Sequence, residues 1–185
     1  MNFANFLTCS RVVLAAIFTA FLFSSHPFGK LLALFVFIAA AVTDYWDGKI
    51  ARSLGEISPF GQLMDPLADK ILTLAAFFSF WRLGLLPLWM ALVVVLRDIL
   101  VTVARLFMPR DSENRSARQS GKQKTFFQIL YIVAVLLYLI ARQVPEWQPS
   151  WDERAIFFTR AGMWLILLLT VWSGVRVFMK NKSYE

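Results

Sequence analysis

Six apolar stretches, separated by short polar connections, set the terms on which this chain can fold. They run roughly from Leu7 to Phe23, Leu31 to Ile50, Pro66 to Trp81, Leu85 to Met108, Phe126 to Ile140 and Ile156 to Phe178. A bilayer interior offers no water to backbone N–H and C=O groups, so a crossing segment must be a helix or part of a closed barrel. Neither strand alternation nor barrel-like turn spacing is present, and the stretches read as helices. The shortest fall below the ~20 residues that a straight span needs, so they must include flanking polar turns or cross thinned bilayer. Hydrophobic residues make up 58% of the chain and charged residues 17%, against roughly 25% charged in soluble proteins. The expectation is an all-α integral membrane protein with six transmembrane helices, folded as one domain over residues 1–185.

Charge placement gives the expected orientation. Arg110, Arg115, Arg118, Lys122 and Lys124 fill one connection, Lys49 and Arg52 lie in another, and Lys180 and Lys182 end the chain. These fall on one side, and the positive-inside rule makes that side cytoplasmic, together with both termini. The opposite side carries Ser24 to Lys30, the turn from Arg82 to Pro87, and Gln143 to Arg154, where Trp147 and Trp151 are candidate interface anchors. The first stretch lacks a basic n-region and reads as a retained span. A net charge of +7 is accounted for by this topology, and no nucleic-acid partner is expected. The single cysteine, Cys9, excludes an internal disulfide framework and a multi-thiolate metal site.

The chemistry concentrates between positions 44 and 69. Asp44 and Asp47 stand three apart at the end of the second span, and Asp65 and Asp69 four apart at the start of the third. Either spacing puts its pair on one helical face. The linker Ser53 to Phe60 is short and holds Gly55 and Pro59, so an antiparallel hairpin is expected to bring all four carboxylates together. Four anions at a membrane surface repel, and a compensating cation is required. Oxygen donors without His or Cys suit Mg²⁺, Mn²⁺ or Ca²⁺, with phosphates and water completing a Mg²⁺ shell. Two such ions would steady the attacking and leaving oxygens of an in-line displacement at phosphorus. Gly48 and Ala51 leave room for a bulky ligand near the backbone, and Arg52 adds a cation for phosphate oxygens. Tyr45 and Trp46 either stack on a base or sit at the interface. Helix capping explains Asp65, which precedes Pro66, but not the other three. Intramembrane carboxylates also mark cation pathways, yet these cluster at one surface.

The segment resembles the CDP-alcohol phosphatidyltransferase signature D-x2-D-G-x2-A-R-x8-G-x3-D-x3-D, with all eight fixed positions present from Asp44 through Gly61 to Asp69. The resemblance implies a six-helix fold, usually homodimeric, with two Mg²⁺ or Mn²⁺ ions. It implies that Asp44, Asp47 and Asp65 bind metal and the diphosphate of a CDP-lipid. Asp69, sharing in the metal site, would be the base that activates the acceptor hydroxyl. Asp44, Gly48, Ala51, Arg52 and Gly61 are then candidate contacts to CDP-diacylglycerol, with Asn5, Thr8 and Arg11 placed to reach the nucleotide from the first helix, where Thr8 equally suits an interhelical hydrogen bond. The only histidine, His26, falls in an external connection, which argues against a phosphohistidine route.

Beyond the signature, Asn5-Phe6-Leu7-Thr8-Cys9-Ser10-Arg11 is similar to the N-L-L-T-x-x-R opening of the family's bacterial, phosphatidylglycerophosphate-forming branch. Gly121-Lys122-Gln123-Lys124-Thr125 with Gln128 resembles its G-K-x-K-T-x-x-Q element, and Arg97 and Arg105 match two arginines of its fourth span. That branch often has Arg-Glu where this chain has Arg97-Asp98. The resemblance implies glycerol 3-phosphate as acceptor and the bacterial inner membrane as location; other acceptors within the family are inositol phosphate, serine and phosphatidylglycerol. An arginine inside an apolar stretch should face a partner or a cavity. Arg97, Arg105, Lys122 and Lys124 are therefore candidates for the acceptor phosphate. The alternatives are that Arg97 pairs with an acid such as Asp98, and that the two lysines touch anionic headgroups.

Overall fold

The computed structural model describes the backbone of residues 3–54, 59–107 and 115–179, and side chains within 10–43, 70–103 and 123–174. Six helices follow one another: α1 (Phe3–Phe23), α2 (Gly29–Leu54), α3 (Pro59–Arg82), α4 (Leu88–Phe107), α5 (Arg115–Ala141) and α6 (Pro149–Met179). No strand occurs among the described residues. Two described segments, Gln123–Ala141 and Pro149–Gly174, are long and apolar enough to cross a bilayer, and Ser10–Phe23 and Gly29–Thr43 are shorter apolar helices.

Three helices begin well before the apolar stretches they contain. α3 starts at Pro59, not Pro66, so Asp65 lies inside a helix and is not an N-cap. Pro59 takes the first helical position, where its missing N–H costs nothing. α5 starts at Arg115, so Lys122 and Lys124 ride on a helix that runs through the expected loop. α6 starts at Pro149, with Asp152 in its first turn, where a carboxylate favours the positive helix end.

The chain divides into two compact units, residues 1–79 with 136–147, and 80–135 with 148–185. In the first, α1 and α2 pack as a hairpin. Ala15, Phe18 and Leu22 of α1 are buried, as are Ala33, Leu34, Phe37 and Ala40 of α2, and the rings of Phe18 and Phe37 meet at 5.8 Å. These positions recur at helical spacing, one stripe per helix. The turn is closed locally: the Ser24 hydroxyl accepts from the His26 N–H, and His26 Nδ1 accepts from the Phe28 N–H. His26 thus serves the turn.

In the second unit α3 ends in a Schellman motif. The Leu85 N–H donates to the Phe80 carbonyl and the Gly84 N–H to that of Trp81, with Gly84 at φ 73°. α4 and α6 run parallel, because Trp89 meets Trp164 at 5.5 Å and, further along both helices, Arg97 lies against Gly174. α5 runs antiparallel to α6: Lys124 bonds to Asp98 near the Gly174 end, whereas the Tyr131 hydroxyl donates to the Thr159 carbonyl at 3.0 Å. Large apolar side chains such as Phe126, Phe157, Phe158, Leu168 and Trp172 remain exposed on the outer faces. Water would not tolerate so much apolar surface, whereas acyl chains solvate it.

The α1–α2 approach yields a test. A Cβ on Gly29 would stand 2.7 Å from the Phe21 carbonyl oxygen, a backbone atom. Gly29→Ala should destabilise the hairpin by about 1–3 kcal/mol through overpacking, read as a lower unfolding midpoint in detergent. An unchanged midpoint would show that the helices are not this close.

Candidate functional site

Helical backbone runs through positions 44–54 of α2 and 59–69 of α3. By register, 44, 47, 48 and 51 share one face of α2, and 65 and 69 share one face of α3. The side chains of Asp44, Asp47, Gly48, Ala51, Arg52, Gly61, Asp65 and Asp69 lie outside the described residues, as do those of Asn5, Thr8, Arg105 and Lys122. Convergence of the four aspartates is therefore an expectation of the sequence. The donor set itself fits a hard divalent cation, since every candidate ligand is a carboxylate oxygen. Among the described residues no group of three His, Cys, Asp or Glu could hold a metal.

The structure does bring together a polar cluster in the second unit. Its centre is Asp98 on α4, 6% exposed. Asp98 Oδ1 accepts from Arg97 Nη1 at 3.2 Å and from Lys124 Nζ of α5, while Oδ2 accepts from Gln128 Nε2 at 3.3 Å. The local reason is periodicity. On α4 the buried positions Met90, Ala91, Val94, Val95, Asp98 and Val101 form one stripe, and on α5 Lys124, Gln128, Tyr131, Ile132 and Val135 form another. Each stripe is apolar along most of its length and polar at one end. α6 contributes Thr170, Ser173 and Gly174 at the corresponding end of its own stripe.

The electrostatics follow from burial. Lys124 is 4% exposed and Arg97 16%, so neither cation has bulk water to solvate it, and Asp98 stabilises both. Breaking such a buried arrangement by removing one partner costs about 3–5 kcal/mol. With one carboxylate and two cations the cluster carries a formal excess of one positive charge, fixed by packing. Such an arrangement can receive a phosphate with little reorganisation.

Arg97 thus has an acidic partner in Asp98, as an arginine in an apolar stretch requires. Lys124 sits in the protein interior and not among headgroups. Sequence reasoning placed neither Asp98 nor Gln128 in the site, although both were visible, Asp98 as Arg97's neighbour and Gln128 in the G-K-x-K-T-x-x-Q element. Thr170 and Ser173 were missed altogether. The available signal was a Thr-x-x-Ser-Gly step inside an otherwise apolar run.

Comparison with known proteins completes the assignment. Residues 1–172 match the CDP-alcohol phosphatidyltransferase family. A Bacillus subtilis protein named CDP-diacylglycerol–glycerol-3-phosphate 3-phosphatidyltransferase is 31% identical, over 97% of this chain and 95% of its own length. A Mycobacterium tuberculosis protein named as a probable phosphatidylglycerophosphate synthase is 37% identical, over 94% of this chain and 78% of its own. A Rickettsia bellii protein with the same name as the Bacillus relative is 25% identical over 99% of this chain and 97% of its own length. With a signature complete at every fixed position and a family match across nearly its whole length, the chain belongs to the CDP-alcohol phosphatidyltransferase family.

Proposed function

We propose that this chain transfers the phosphatidyl group of CDP-diacylglycerol to glycerol 3-phosphate, releasing CMP and forming phosphatidylglycerophosphate. Membership of the family supplies the reaction class. The acceptor is carried by similarity along 95% of the length of a relative whose name specifies glycerol 3-phosphate. The buried cationic cluster of Arg97 and Lys124 around Asp98 supports an acceptor that bears a phosphate.

In this reading Asp44, Asp47, Asp65 and Asp69 are the residues that would hold two Mg²⁺ or Mn²⁺ ions, the first three also serving the CDP-lipid diphosphate. When bound, the ions neutralise diphosphate charge and make CMP a better leaving group. Gly48, Ala51 and Gly61 give the lipid diphosphate close access to the backbone, Arg52 adds a cation, and Asn5 and Thr8 reach the nucleotide. Arg97 and Lys124, with Arg105 and Lys122 farther along their helices, hold the acceptor phosphate. Asp69 takes the proton from the acceptor hydroxyl as its oxygen bonds to the β-phosphorus. The bond from that phosphorus to the bridging oxygen breaks, and CMP departs with the electron pair. No covalent enzyme intermediate is needed.

Six spans in the cytoplasmic membrane of a bacterium, a homodimeric assembly, and termini and active site on the cytoplasmic side complete the proposal. The apolar outer faces and the basic connections support the membrane part of it.

Purified protein in detergent with Mg²⁺ should release CMP from CDP-diacylglycerol only when glycerol 3-phosphate is supplied. Release on adding inositol phosphate or serine instead would reassign the acceptor. Asp69→Asn should lower kcat by about 10²–10⁴-fold, the usual worth of a general base, while the KM values move little. Wild-type turnover in that variant would remove Asp69 from its role. Arg97→Ala should raise the KM for glycerol 3-phosphate by about 10–100-fold, as expected for a lost charged hydrogen bond, and leave the KM for CDP-lipid nearly unchanged. Equal losses for both substrates would mark a folding defect.

A further inference from the structure

Two hydroxyls on α6 stand out from every other described threonine or serine whose bonds are resolved in a helix. Thr19, Thr43 and Thr159 each donate to the carbonyl four residues back. That is the usual outlet for a hydroxyl within a helix. Thr170 and Ser173 are 0% and 3% exposed, and neither hydroxyl has a hydrogen-bond partner among the described residues. A buried polar group left in that state opposes folding unless something answers it. Thr170, Ser173 and Gly174 fall within about 100° of one another around the helix. On this face Gly174 has Arg97 against it: an added Cβ would lie 3.3 Å from Arg97 Nε. The two hydroxyls therefore share a helix face with the residue that meets Arg97 of the Asp98-centred cluster.

We propose that Thr170 and Ser173 recognise the hydroxyl of glycerol 3-phosphate that does not react, while the cationic cluster beside them holds the phosphate. The inference rests on glycerol 3-phosphate being the acceptor. Of its two hydroxyls the primary one is sterically more open to phosphorus, leaving the secondary one for recognition. A hydroxyl both donates and accepts, and two side-chain hydroxyls meet both needs at once. A site that hydrogen-bonds a substrate hydroxyl also rejects an analogue lacking it, because the buried groups are then left unanswered. The competing account is that small hydroxyl residues merely let α6 approach α4 closely.

Shape-preserving variants separate the two. Thr170→Val, Ser173→Ala and the double variant are assayed for CMP release with two acceptors, glycerol 3-phosphate and 3-hydroxypropyl phosphate. The second keeps the phosphate and the primary hydroxyl and lacks only the secondary one. Wild-type enzyme should favour glycerol 3-phosphate by tenfold or more in kcat/KM. In the variants the value for glycerol 3-phosphate should fall about tenfold, one hydrogen bond's worth, while the analogue's value and the KM for CDP-diacylglycerol stay put. Unchanged selectivity in the double variant, or equal losses for both acceptors, would overturn the proposal. A wild-type enzyme that ignores glycerol 3-phosphate yet uses another alcohol would instead overturn the acceptor assignment beneath it.

Discussion

A carboxylate buried among helices organises the polar interior of the second unit. Asp98 receives hydrogen bonds from Arg97, Lys124 and Gln128, and without it two cations would face each other in a medium of low dielectric. Every other feature of the second unit is consistent with that node. α5 carries Lys124 to Asp98 from just before its apolar portion. α6 must present Gly174, since a larger side chain would press on Arg97. The apolar ends of the three stripes, from Met90 on α4, Ile132 on α5 and Met163 on α6, then supply the packing that holds the polar ends in place.

Lipid as solvent explains why the arrangement is tolerated. In water an exposed surface of Phe, Leu and Trp such as that on α6 would drive association. In a bilayer the outer face is satisfied by acyl chains, and polar side chains turn inward to meet one another. On the proposed reading, the groups that must be hidden from lipid are also those that would bind a charged substrate.

The sequence made different parts of this legible for different physical reasons. The aspartates at 44, 47, 65 and 69 stand at spacings that put each pair on one helical face, and the backbone of both segments is helical, while their side chains lie outside the described residues. Helix starts were misread because hydropathy reports the solvent whereas helix formation reports the backbone. Arg115 to Lys124 is rich in good helix formers and helical, though too polar for a span. Asp65-Pro66 imitated a helix start, while Pro59 held the real one. Asp98, Gln128, Thr170 and Ser173 form no local pattern, because the contacts at this end of the unit run from α4 to α5 and from α4 to α6. No local pattern encodes the pairing of position 98 with 124, or of 97 with 174.

Joining a phosphatidyl group to glycerol 3-phosphate puts all three carbons of that acceptor into the lipid product. Supplying ¹³C₃-glycerol 3-phosphate and CDP-diacylglycerol to proteoliposomes and weighing the lipid product tests it most directly. The account predicts phosphatidylglycerophosphate heavier by all three labelled carbons, formed in step with CMP. CMP appearing while the label stays entirely in the water-soluble fraction would contradict it.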